Sequence, residues 1–379
     1  MGGNEYLFGM RFQDLLMLAV VPAFLLVSCA NDECCSPPGH DHAAHEGHDH
    51  AAADDYHATG NCAMEFTAAD SARREAKYAE PGVKMVELSN GYRVFTQTVG
   101  ENPDVKILTL HGGPACTHEY MTAISNVLPE GQGYEVILYD QLGSFYSDQP
   151  TEDLWTIDRW CEEVEEVRQA LGLDASNFYL LGNSWGGILG MEYALRYQDN
   201  LNGLIVCNMV TSIPEYAAYN EEVLRPQMDP EVLAKLVAYE EAGDIQNEEF
   251  LQLVNDHFYA KHICRLEEWP EAITGSFERL NYKLYDLMQG PSEFRVGGRL
   301  IDWDITDRLG EITVPTLMVG AEHDTMDPDK MTKQATLVAN GRSLHCYNGS
   351  HLCMWDDQEA FMGGVTNFIE DVEAGRPLR

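Results

Sequence analysis

Between an apolar run at residues 178–181 and a helical stretch at 188–197 stands Gly182-Asn183-Ser184-Trp185-Gly186-Gly187. Small residues on either side of a serine let the chain leave a buried strand by a sharp, strained turn and enter a helix, with the hydroxyl lifted at the tip. The helix must then pack back on the sheet, so the join predicts strands that are each followed by a covering helix. From residue 83 onward the chain agrees: short apolar runs at 83–88, 92–99, 106–110, 135–139, 178–181, 203–208, 316–319 and 343–347 alternate with helical patterns. The expected fold class is α/β, a mostly parallel sheet flanked by helices, opened by a hairpin across Asn90-Gly91.

The clearest helix is expected over 156–171, with Ile157, Trp160, Val164, Val167 and Leu171 on one face. Its run of Glu162, Glu163, Glu165 and Glu166 reads as a solvated face. Residues 211–300 break the alternation with successive helical segments, which predicts an all-helical cap inserted between a first core part, 81–210, and a second, 301–379.

The N-terminal part differs. Arg11 precedes an apolar run at 15–27, too short to span a membrane and of signal-peptide length, so residues 1–29 read as an export signal. Leu26-Val27-Ser28-Cys29 resembles the lipobox of bacterial lipoproteins, which would make Cys29 the lipidated first residue of an envelope-anchored protein. Ser28-Cys29-Ala30 also fits a small-x-small cleavage site that releases a periplasmic or secreted protein. Residues 30–80 are expected to form a flexible tether rich in histidine, with His40, His42, His45, His48 and His50 as candidate metal ligands or as a merely solvated linker. Cys34 with Cys35, and Cys346 with Cys353, are the candidate disulfides among ten cysteines, most of which are expected to be buried thiols. Sixty-two acidic against 24 basic residues give a formal charge of −38, which excludes nucleic acid as a partner and leaves a membrane only through an anchor at Cys29.

A serine hydroxyl needs a base to take its proton and a carboxylate to fix that base's tautomer. Asp324 follows the run 316–319, and His351 follows the run 343–347, so both fall beyond strand ends. The order Ser184, Asp324, His351 is that of an α/β-hydrolase triad. His111-Gly112-Gly113-Pro114, also after a strand, is expected to bring the Gly113 N–H together with the Trp185 N–H as donors to an oxyanion. Such chemistry needs no cofactor.

His111-Gly112-Gly113-Pro114, Asp140-Gln141-Leu142-Gly143, Gly182-Asn183-Ser184-Trp185-Gly186-Gly187 and Asp302-Trp303-Asp304-Ile305-Thr306-Asp307 resemble, in order and spacing, the proline iminopeptidase family of α/β-hydrolase serine peptidases, including its tricorn-associated branch. The resemblance covers nearly everything after residue 80 and implies a helical cap and release of N-terminal residues, often proline, from short peptides. Gln289-Gly290-Pro291-Ser292-Glu293-Phe294 resembles the cap segment whose glutamate holds the substrate amine, which implies that role for Glu293. Ala115 and Phe145 stand where the family usually has glycine, and Thr325 where related aminopeptidases carry a second amine-binding acid. These departures keep open hydrolysis of amino-acid amides or esters, and a metal-binding lipoprotein without activity is the reading from another class.

Overall fold

The computed structural model describes residues 64–245 and 247–378. One eight-stranded sheet runs in the order β1-β2-β4-β3-β5-β6-β7-β8. Its strands are β1 (Val83–Glu87), β2 (Arg93–Val99), β3 (Lys106–Leu110), β4 (Glu135–Asp140), β5 (Phe178–Asn183), β6 (Gly203–Cys207), β7 (Thr316–Ala321) and β8 (Gly341–Cys346). β1 and β2 form the expected hairpin, and β2 pairs antiparallel with β4. Every later pairing is parallel. β4, β5, β6 and β7 are buried along their whole length, which is why their middles are continuous apolar runs rather than alternating ones. Because β3 to β8 point the same way, the segments after β5, β7 and β8 emerge at one edge of the sheet, where sites in this architecture are built.

Within 211–300 the chain forms helices Ile213–Tyr219, Pro230–Ala242, Glu248–Val254, Ala260–His262, Glu271–Glu278 and Tyr282–Met288 and adds no strand to the sheet among the described residues. Leu224, Met228, Leu236, Phe250, Val254, Phe258 and Phe294 make an apolar cluster of its own there. Among the described residues no helix is long and apolar enough to cross a membrane.

Three expectations are corrected. The flexible tether does not reach residue 80: Ala68–Tyr78 is a helix, opened by a capping box in which Asp70 N–H donates to Thr67 Oγ1 (3.1 Å) and Thr67 N–H to Asp70 Oδ2 (2.9 Å). It is held because Met64, Phe66 and Tyr78 pack against Phe95, Phe145 and Tyr146. Phe66 meets Phe145 edge to face at 5.4 Å between ring centres, and Tyr78 O–H donates to Tyr146 O at 2.7 Å. Cys346 and Cys353 are not bonded to each other; they and Cys116, Cys161, Cys207 and Cys264 are buried free thiols. The signal segment with Cys29, the pair Cys34 and Cys35, and His40, His42, His45, His48 and His50 lie outside the described residues.

The third correction concerns the glutamate run. The helix Ile157–Leu171 is capped by Thr156, whose hydroxyl accepts from Arg159 N–H, and ends at Gly172 in the left-handed region. Glu163, however, is on its buried side and fully enclosed. Tyr139 O–H donates to its Oε1, Leu142 N–H donates to the same oxygen at 2.9 Å, and Oε2 has no partner among the described residues. Burial outweighs both bonds and pushes the carboxyl up to about 7. An unfolded glutamate ionises near 4.3, so between these values the folded chain keeps a proton that the unfolded chain has lost, and stability falls as pH rises through about 7. Glu163→Gln is therefore expected to gain about 3 kcal/mol over the parent between about pH 5 and about pH 8 in urea unfolding. An equal difference at both values would mean that the buried carboxyl is ionised throughout.

Candidate active site

Ser184 sits at the end of β5 with φ 56° and ψ −126°, a strained conformation for any residue with a Cβ. The turn is crowded enough to demand glycine: a Cβ on Gly182 would lie 1.9 Å from Gly186 O, and one on Gly186 would lie 2.1 Å from Leu110 O. Ser184 N–H donates to Cys207 O at 2.9 Å, which ties the turn to the end of β6. The helix Trp185–Tyr197 starts directly after it.

Asp324, beyond β7, and His351, beyond β8, are brought together: Nδ1 of His351 lies 2.7 Å from Oδ1 of Asp324, and both residues are buried. The same Oδ1 accepts from Thr325 Oγ1 (3.2 Å) and Met326 N–H (3.3 Å), while Oδ2 accepts from Asn208 Nδ2 at 2.7 Å. Burial alone would push the imidazole of His351 down; the charge of Asp324, its hydrogen bond and the more distant charge of Glu293 outweigh that and hold it above its ordinary value. His351 is fixed from both sides, since its N–H donates to His262 O (2.9 Å) and its carbonyl accepts from Asn183 Nδ2 (3.4 Å), next to Ser184.

After β3, Gly112 N–H donates to Tyr120 Oη at 2.6 Å, the Gly113-Pro114 bond is cis, and Gly113 takes φ +110°. Neither Gly113 N–H nor Trp185 N–H has an acceptor among the described residues. Gln141 joins the two segments that carry them: its Oε1 accepts from Trp185 Nε1 (2.7 Å), its Nε2 donates to His111 O (3.0 Å), and its N–H donates to His111 Nε2 (3.1 Å). Gln141 lies inside a motif quoted above, but reading it as a strap between two loops requires knowing that β4 lies beside β3.

Glu293 is also buried, in the helical insertion. Tyr216 O–H donates to Oε2 (2.6 Å), Tyr285 O–H to Oε1 (2.8 Å) and Gln289 Nε2 to Oε2 (3.4 Å). All three donors are neutral, and among the described residues no lysine or arginine pairs with it. A carboxylate so arranged is oriented and solvated but not neutralised, which suits it to receive a cation from outside the chain.

A family description for the alpha/beta hydrolase fold matches residues 106–358. The chain is 54% identical over 282 residues to a proline iminopeptidase of Flavobacterium johnsoniae, covering 74% of this chain and 95% of that one. It is 55% identical over 285 residues to a proline iminopeptidase of Elizabethkingia meningoseptica, with the same coverage of 74% and 95%. Among solved structures it is similar to a proline iminopeptidase of Mycobacterium smegmatis, at 30% identity and a TM-score of 0.70, over 77% of this chain and 99% of that one. With the strained serine turn, the His351–Asp324 pair and the uncompensated Glu293 carboxylate on one protein, these likenesses are decisive: the chain belongs to the proline iminopeptidase family of the α/β-hydrolase fold.

Proposed function

We propose that this chain is a serine aminopeptidase that releases N-terminal residues, proline among them, from short peptides through an acyl-enzyme. The observation that carries the reading is Glu293, a buried carboxylate held by three neutral donors and close enough to act on His351 electrostatically. An α-amino group with a pKa of about 8 is mostly cationic at neutral pH, and enclosing it without a counter-charge costs several kcal/mol. Glu293 meets that need and so selects a free N-terminus.

With the ammonium on Glu293, the first carbonyl carbon faces Ser184. His351 Nε2 takes the hydroxyl proton as Oγ attacks, and Asp324 keeps the other ring proton on Nδ1 so that Nε2 is free to accept. The N–H groups of Gly113 and Trp185 take the oxyanion. The imidazolium returns its proton to the leaving nitrogen, the C–N bond breaks, and the N-terminal residue stays as an ester on Ser184. Water repeats the sequence, giving its proton to His351 and its oxygen to the acyl carbon.

Glu293→Gln is expected to lower kcat/KM for free aminoacyl anilides by about 10²–10³-fold, the scale of leaving one partner of a buried ion pair alone. N-blocked esters of the same residues are expected to change by less than about threefold, because they bring no cation. Since Glu293 helps to hold the His351 imidazole up, the acid limb of kcat/KM is also expected to move to lower pH in this variant. Equal losses on blocked and unblocked substrates would remove Glu293 from amine recognition and favour an amide or ester hydrolase, which the single carboxylate, with Thr325 beside Asp324, otherwise accommodates as a broader first-residue range. Export, with Cys29 as lipid anchor or cleavage site, belongs to the same proposal and rests on the order of charged, apolar and small residues at 11–30.

A further inference from the structure

We infer that Asn208 is a positioning residue of the catalytic triad: one buried amide that holds the acid, the turn of the nucleophile and the loop of the base in a single arrangement. The inference rests on the reading that Ser184, Asp324 and His351 form that triad. Asn208 follows β6 directly, with φ +53°, a left-handed conformation that asparagine tolerates better than most side chains. Its own N–H donates to Val319 O at 2.8 Å, so its backbone is pinned to β7, and the residue is fully enclosed.

A primary amide has two hydrogens to give and an oxygen with two lone pairs, and here all four are used. Nδ2 donates to Asp324 Oδ2 (2.7 Å) and to Ser350 O (3.2 Å); Oδ1 accepts from Asn183 Nδ2 (3.5 Å) and from Cys353 Sγ (3.2 Å). A carboxylate and a carbonyl only accept, so the nitrogen must face them and the orientation of the amide is fixed by its surroundings. Three of the four partners bear on the triad. Asn183 precedes Ser184, Ser350 precedes His351, and Asp324 is the acid itself. Residues far apart in the chain, from the end of β5 and from the loops after β7 and β8, thus meet on one side chain at the end of β6.

The bond to Asp324 has a definite task. Oδ1 serves His351 Nδ1, and Oδ2 is the handle by which rotation of the carboxylate is stopped. A hydrogen bond to a charged group is worth about 1.5–3 kcal/mol, which corresponds to roughly 10- to 150-fold in rate if it acts only on alignment for proton transfer. The ionisable groups that face this place are His351, Cys207, Cys346, Cys353 and Asp356 from the core and Tyr216, Tyr219, His262 and Glu293 from the helical insertion. Burial holds the thiols of Cys207 and Cys353 and the two tyrosines above their ordinary values and His262 below its own, so none of these five gains charge between about pH 6.5 and about pH 8.

Two variants separate positioning from mere filling of the interior. Asn208→Asp is isosteric but cannot donate to Asp324 unless the two carboxyls share a proton. Asn208→Gly removes the donor at every pH and takes the left-handed backbone without strain. Both are measured against the parent by the rate of Ser184 labelling with a fluorophosphonate and by kcat and KM for an aminoacyl anilide. For Asn208→Gly the labelling rate and kcat are expected to fall roughly 10- to 150-fold at all pH values with KM within about threefold. For Asn208→Asp, the rate relative to the parent is expected to be down by more than about tenfold near pH 8 and to recover towards pH 6 as the shared proton is taken up. Parental rates in the glycine variant, or a loss in the aspartate variant that does not change with pH, would overturn the proposal. If the aspartate variant does not fold, the glycine variant decides alone on kcat against KM. Labelling of Ser184 without turnover of any aminoacyl anilide would remove the aminopeptidase reading and leave the role of Asn208 legible from labelling; a parent that does not label would overturn both.

Discussion

Ser184→Ala is expected to lower turnover of an aminoacyl anilide by about 10⁶-fold, the scale on which loss of the nucleophile acts in serine hydrolases. The substitution removes one oxygen and keeps the Cβ, so the backbone at φ 56° remains as strained as before and the contacts of the turn with Gly112 and Cys207 persist. Folding is therefore untouched, and the melting temperature should move by less than about 2 °C. What survives is the contribution of substrate binding and of the Gly113 and Trp185 donors, worth about 10³–10⁴-fold over water in related triads. Stopped assays for anilide release, with fluorophosphonate labelling as control, read both quantities. A variant that keeps more than about 1% of parental kcat would mean that another group attacks the carbonyl, and the mechanism would have to be abandoned.

Asp324→Asn is expected to cost about 10⁴-fold in kcat. The reason lies in its surroundings. Asn208 Nδ2 points at the Oδ2 position from 2.7 Å and can only donate, and this shorter bond outweighs the Met326 N–H that faces the Oδ1 position from 3.3 Å, so the new amide turns its oxygen to Asn208 and its nitrogen to His351. His351 Nδ1 then has a donor in front of it and becomes the acceptor, which puts the ring proton on Nε2, on the side where the serine proton has to arrive. The variant is thus locked in the wrong tautomer rather than merely short of a charge. Loss of the charge has its own signature: Asp324 holds the imidazole above its ordinary value, so the residual activity should keep its acid limb at lower pH than the parent. An unmoved acid limb with full kcat would show that the His351–Asp324 contact does not govern the base.

The sheet and the serine turn were legible because both are written in local chemistry. β4, β5, β6 and β7 are apolar through their middles because both faces are covered, and Gly182 and Gly186 are needed because backbone oxygens lie where their side chains would be. Glu163 was misread for the opposite reason. Among four glutamates that look alike in sequence, only its place opposite Tyr139 of β4 and Leu142 just beyond that strand puts it inside. Asn208 carries no motif at all, and its importance comes from three loops converging on it. The helix at 68–78 is different again: Thr67 and Asp70 spell a capping box, but the histidine-rich composition just upstream drew that short signal into a longer, featureless segment.

That helix has a practical consequence. The unit that carries the sheet takes in the residues from Met64 onward, not from residue 81. Trimming the histidine-rich stretch back to the first strand would strip away Phe66 and Tyr78 and wet the rings of Phe95, Phe145 and Tyr146, leaving an adhesive aromatic face. Since Phe145 and Tyr146 belong to the same short loop as Gln141, the damage would reach the strap that joins His111 to Trp185, and a shortened enzyme would lose both solubility and rate through one missing plug.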